Sequence, residues 1–193
     1  YAWIVAGAFH GATGDAGEIA IETGSLVVGR GAQINVPTTG DGEGGSITIG
    51  ADAVEISGGG WIGAHTLGKG AAGTIAIDAR SVVIGDGGLI RADTTGSGNA
   101  GHIGLNVDSL EIQTGGRINT TSGDFSGARG GDAGDIDVTA RDSIFLTNKG
   151  GPRFELGGPV SGIFSVTIGT SFVQDGVTIF PHSATATGSS LSL

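Results

Sequence analysis

One short pattern returns along this chain at a fixed interval, and the interval governs what the chain can fold into. Ala16-Gly17-Glu18-Ile19-Ala20-Ile21 aligns with Gly44-Gly45-Ser46-Ile47-Thr48-Ile49, with Ala72-Gly73-Thr74-Ile75-Ala76-Ile77 and with Ala100-Gly101-His102-Ile103-Gly104-Leu105, each 28 residues after the last. A second apolar column holds Leu26/Val28, Val54/Ile56, Val82/Ile84 and Leu110/Ile112, and a third holds Ile34, Ile62, Ile90 and Ile118. Between these columns stand Gly31, Gly59, Gly87 and Gly115.

A period in this range marks a solenoid, because one unit cannot bury its apolar face except against a copy of itself. Each unit contains three short segments. Two of them carry apolar residues at i and i+2, the periodicity of a strand, and none shows the longer i, i+3, i+4 pattern of a helix. Stacking like on like makes the strands parallel. The expected fold is therefore all-β, a parallel β-helix with three strands and about 28 residues per coil. It is expected to be right-handed because parallel crossovers take that hand. The repeat glycines Gly17, Gly31, Gly45, Gly59, Gly73, Gly87, Gly101, Gly115 and, in a later unit, Gly134 are assigned to bends needing positive φ or close backbone approach.

Trp3-Ile4-Val5-Ala6 matches Trp61-Ile62-Gly63-Ala64, so the chain is expected to open in mid-coil, as a piece of a longer protein whose signal and N-terminal cap lie outside it. Complete coils follow at about 11–40, 41–68, 69–98 and 99–123 within a single β-helix spanning 1–193. A fifth opening, Ala133-Gly134-Asp135-Ile136-Asp137-Val138, arrives 33 residues after its predecessor. The insertion at 147–160 reads as a protruding loop, and Lys149, Arg153, Phe154 and Glu155 within it are the candidates for specific recognition, since loops on rigid scaffolds carry contacts. Gly162-Ile163-Phe164-Ser165-Val166 is then a third strand, and residues 172–180 look like a shortened coil. Residues 181–193 form a polar terminal tail or a last edge strand.

Bulk properties narrow the function. The 41 glycines lack a Gly-X-Y period, which excludes collagen, and a net charge of −10 with 5% aromatics lacks the basic footprint and stacking platform of a nucleic-acid binder. There is no cysteine for disulfides or thiolate metal sites, and no apolar run long enough to span a membrane as a helix.

The unit running from Asn99-Ala100-Gly101 through Gly115-Gly116-Arg117-Ile118-Asn119-Thr120-Thr121-Ser122-Gly123 resembles the repeats of filamentous-haemagglutinin-like exoproteins of the two-partner secretion type, most of all the large exoproteins of cyanobacteria. The likeness covers roughly residues 11–180. It implies a right-handed β-helix, export through an outer-membrane partner pore, and a place outside the cell or on its surface.

The function expected from all this is a structural or adhesive rod that presents loops at regular intervals, binds a surface polysaccharide through many weak contacts, and associates end to end into fibres. The alternatives are a polysaccharide-acting enzyme and an ice-binding module. For the enzyme, the best polar column is Glu22, Gly50, Asp78, Asn106 and Thr139, which never sets two carboxylates on adjacent levels, and Arg80 and Arg141 stand about two coils apart. For ice binding, Thr38, Thr66, Thr94 and Ser122 align as a hydroxyl column, for which hydrogen-bonded turns are the plainer account. Gly130-Gly131-Asp132-Ala133-Gly134-Asp135 departs from a calcium nonapeptide at Ala133 and Asp137, and His10, His65, His102 and His182 share no column, so neither metal nor cofactor is expected. Trp3 and Trp61 occupy equivalent positions, where packing competes with stacking on sugar rings, while Leu89 and Arg117 replace them at other levels.

Overall fold

The computed structural model describes residues 2–123 and 131–147, together with the strands at 162–167, 173–174, 177–178, 184–188 and 191–192. The recognition candidates Lys149, Arg153, Phe154 and Glu155, and the insertion that carries them, lie outside the described residues, as does His182.

The described chain is an all-β solenoid without helix. Long strands β2 (Glu18–Val28), β4 (Ser46–Ile56), β6 (Thr74–Ile84), β8 (His102–Gln113) and β10 (Ile136–Thr147) alternate in sequence with short strands. The short set is β1 (Trp3–Val5), β3 (Gln33–Asn35), β5 (Trp61–Gly63), β7 (Leu89–Arg91), β9 (Arg117–Ser122) and β11 (Gly162–Thr167). Each set stacks in order as a parallel sheet. The register keeps the sequence period: Ile47 pairs with Ile75 and Ile62 with Ile90.

The first two apolar segments of each unit run on as one strand of eleven or twelve residues. Its inward side changes parity midway, since Ile47 and Ile49 are buried, then Val54 and Ile56. Two outward residues fall in succession between them, so the strand turns a corner, and the pairing skips one position there, between Ala51 and Ala53. In β10 the corner gains a residue, with a register shift between Ala140 and Ser143.

The core is a set of isoleucine-rich ladders, one rung per coil. Ile34, Ile62, Ile90 and Ile118 are at most 3% exposed, as are Ile47, Ile75, Ile103 and Ile136. Beside the short-strand ladder runs a column of small residues, Val36, Ala64 and Ala92, with Thr120 continuing it and donating its hydroxyl to the Gly134 carbonyl at 2.9 Å. At the first edge Ile4, in the same ladder, is 49% exposed.

The two repeat glycine columns have different causes. The second is a turn: Arg30-Gly31, Gly58-Gly59, Asp86-Gly87 and Thr114-Gly115 all have both residues at positive φ. The flanking residues close an i to i+3 bond, such as Gly88 N–H to the Gly85 carbonyl at 2.8 Å. Two successive positive-φ residues in such a turn are the mark of type I′. The opening column is close approach: a Cβ on Gly73 would run into the Gly45 carbonyl oxygen, and one on Gly45, Gly101 or Gly134 would meet the oxygen of the opening glycine a coil earlier.

Towards the C-terminus, β11 pairs in register with β9, as the third strand expected there should. β12 (Val173–Gln174) and β13 (Val177–Thr178) pair antiparallel with each other, where the expected shortened coil would have set its strands parallel to those of the coil before. β14 (Ala184–Gly188) and β15 (Leu191–Ser192) lie along β10 as a last edge.

Candidate functional site

The outward side of the short-strand sheet brings together residues that the sequence columns keep apart. Trp61 opens β5, and its indole lies over Gly63, where any Cβ would strike the ring. The space left by the missing side chain lets Arg91, registered beside Gly63 on β7, place its guanidinium carbon 4.4 Å from the indole centroid. His65, just beyond β5, sets its ring 5.6 Å from the indole, tilted by 58°. Arg91 also faces Asp93 at 3.9 Å. The Asp93 carboxylate accepts from Asn119 Nδ2 at 2.7 Å and from the Thr121 backbone N–H at 3.3 Å.

Trp61, His65 and Arg91 form one wall of an open groove of about 290 Å³. Its floor is one coil, Gln33, Asn35, Pro37 and Thr39, and its other wall is the coil before, Trp3, Val5 and Phe9. Trp3, Gln33 and Trp61 stand in register on three successive strands, so the two tryptophans are about 9–10 Å apart along the stack. Trp3 and Phe9 are well exposed, at 67% and 56%. Thr39 Oγ1, His65 Nδ1 and Arg91 Nε are buried without a hydrogen-bond partner, and all three belong to residues lining this groove. Buried polar atoms are paired in the great majority of cases, so three exceptions in one place mark a site.

The electrostatics point to the same place. Burial, aided by the Arg91 charge, pulls His65 down to about 4, which keeps the ring neutral near pH 7. Burial pushes Asp93 up to about 6, against the opposing pull of Arg91 and the Thr121 N–H. Burial also lowers Arg91, with Asp93 opposing. The depressed His65 favours the fold above its ordinary 6.5, and that contribution is lost as pH falls towards 4. The raised Asp93 favours the fold below 3.8, and its contribution is lost as pH rises through 6. The two therefore offset one another between about pH 4 and 6. His65→Gln is expected to make the protein more stable, relative to the parent, as pH falls through that window, and Asp93→Asn less stable, each by on the order of 2 kcal/mol after solvent screening. Thermal midpoints measured across the window check this; parent-like profiles in both variants would refute it.

The other candidates resolve differently. Thr38, Thr66, Thr94 and Ser122 are at most 1% exposed and bridge coil to coil, so the hydroxyl column faces inward. Thr66 donates to the Thr38 carbonyl at 3.1 Å, and Thr38 to the Glu43 carbonyl at 2.8 Å. Asn106 Nδ2 donates to Asp78 at 2.7 Å within the polar column weighed for an enzyme. Arg80 and Arg141 each pair with the aspartate one coil earlier, Asp52 at 3.0 Å and Asp108 at 2.9 Å. The segment from Gly131 is held by its neighbours: Gly131 N–H donates to the Gly98 carbonyl and Asp132 N–H to Asn99 Oδ1. His102 lies 3.9 Å from Asp137, and no group of three His, Asp or Glu able to hold a metal occurs among the described residues.

Sequence columns compare each residue with its own counterparts and so missed a site built on a diagonal, Trp61 to Arg91. The signal was Gly63, a glycine two residues after a tryptophan and outside the repeat glycine columns. No known family model, curated protein or solved structure matches the chain.

Proposed function

We propose that this chain is a rigid structural or adhesive segment of an exported, cell-surface exoprotein, with a surface polysaccharide as its partner. The observation that supports this most is the continuous coil-to-coil strand pairing from β2 to β10, which keeps the isoleucine ladders buried and makes each coil a level on a stiff stack. The resemblance of the unit at residues 99–123 to filamentous-haemagglutinin-like repeats agrees with export through an outer-membrane pore and with a non-enzymatic role. Association end to end through the partly exposed β1 and β2 edge would extend the rod.

Protein immobilised on beads and challenged with a panel of surface polysaccharides tests the proposal, with negative-stain microscopy of the same sample. Rods, retention of at least one polysaccharide and no released sugar are expected. Depolymerisation of any polymer would replace this reading with an enzymatic one, and compact particles that retain nothing would end it.

A further inference from the structure

The groove between Trp3 and Trp61 has the requirements of a particular ligand class built into it. Its open aromatic surface lies on one wall, in the exposed Trp3 and Phe9 rings. Its unpaired polar atoms lie on the floor and the opposite wall, in Thr39, His65 and Arg91. A ligand that satisfies both needs one apolar face and several hydroxyls at its rim, which describes a pyranose ring: axial C–H bonds on a face, hydroxyls around the edge. The strands that carry the two walls lie about 9–10 Å apart, with the Gln33 strand between them as the floor.

Charge selects among sugars. Among the described residues Arg91 is the one cation lining the groove, and Asp93 stands 3.9 Å from it. The whole chain carries −10, which disfavours a polyanion at every coil. A neutral sugar meets neither obstacle. The imidazole of His65 presents one N–H donor and one ring acceptor when neutral, and a hydroxyl can serve either.

We propose that this groove is a carbohydrate subsite that takes one neutral pyranose residue of a polysaccharide, its C–H face on the Trp3 indole and its hydroxyls turned to His65, Arg91 and Thr39. The three polar atoms are covered in the free protein, so binding includes a rotation of lining side chains that uncovers them. The stacked Trp61 and Arg91 act as one wall, and Asn35 Nδ2 donates a hydrogen bond to Gln33 Oε1 at 3.2 Å across the floor. The proposal rests on the adhesive reading and gives it a ligand class and an address.

Titration calorimetry of the full chain with cellohexaose, mannohexaose, xylohexaose and, as the acidic control, hexagalacturonate tests it. Saturable binding of at least one neutral hexasaccharide is expected, in the roughly micromolar to millimolar range, with no binding of hexagalacturonate. Trp3→Ala is expected to weaken that binding by at least about tenfold, the loss of one stacking contact, and Trp3→Tyr to restore most of it. Trp3 is 67% exposed, so its replacement leaves the melting temperature within a degree or two of the parent. Failure of every neutral sugar, preference for the acidic one, or undiminished binding by Trp3→Ala would overturn the proposal. Should beads bearing Trp3→Ala still retain the parent's polysaccharide, the adhesive reading stands and this groove is not its seat.

Discussion

Gly73→Ala is expected to abolish folding, although it adds a single methyl group to a residue with ordinary backbone angles. The added carbon would occupy the position of the Gly45 carbonyl oxygen, and the backbone on which it collides is itself one level of the stack. No side-chain rotation relieves the clash, so the coil above must lift away from the coil below. The hydrogen bonds that this would disrupt include Thr74 N–H to the Gly45 carbonyl and Gly73 N–H to the Ala64 carbonyl. A solenoid is stabilised by nearest-neighbour interfaces, so opening one of them removes support from both halves. A loss of about 4 kcal/mol or more is expected, read as a lost strand signal in circular dichroism and rapid proteolysis. Gly87→Ala separates close approach from backbone strain. Gly87 has φ 75°, and a methyl group added there would have only the Gly59 nitrogen near it, at 4.0 Å, so the cost is confined to the left-handed conformation, about 1–2 kcal/mol. Equal damage at both positions would show the two columns to have one cause.

Ile90→Asp is expected to be comparably destructive for a different reason. Ile90 is wholly buried in the apolar core, stacked between Ile62 and Ile118. An unpaired charge there costs several kcal/mol or forces protonation. Ile90→Val keeps the ladder and should cost only about 1 kcal/mol. Thr48→Asp, on the outward side between Ile47 and Ile49, should change stability by no more than about 0.5 kcal/mol. Chemical denaturation of the three variants distinguishes them, and a stable Ile90→Asp would mean that the short-strand ladder is not the core.

Much of this architecture is legible in the sequence because each coil's neighbours are nearly copies of it. A column such as Ile34, Ile62, Ile90 and Ile118 states both the period and the buried face. What is less legible depends on backbone geometry that several residue types can adopt. Arg30, Asp86 and Thr114 carry the first left-handed position of their turns, where only the following residue is always glycine, so the turn type is hidden. The inward threonine column reads as a loop because Thr38, Thr66 and Thr94 sit among glycines and polar residues, yet coil-to-coil bridges bury it. The corner in the long strands is hidden in a change of parity between Ile49 and Val54, which counting by segments registers as a gap. Trp61, His65 and Arg91 come together through the absence of a side chain at Gly63, a feature with no counterpart in the columns above or below.

The outer corner of the stack holds a further piece of information. Asp52, Arg80, Asp108 and Arg141 follow one another up the rod, alternating in sign, with contacts at 3.0 Å and 2.9 Å within the two pairs. The backbone repeats with every coil, but the charges repeat only with every second one. A chain of near-identical units is prone to skip a level while it assembles, docking a strand on the copy before its proper partner. Such a skip would leave the isoleucine ladder intact but bring Asp52 against Asp108, or Arg80 against Arg141. Opposite charges therefore meet at this corner only when each coil docks on its immediate neighbour, at positions too exposed to add much to stability.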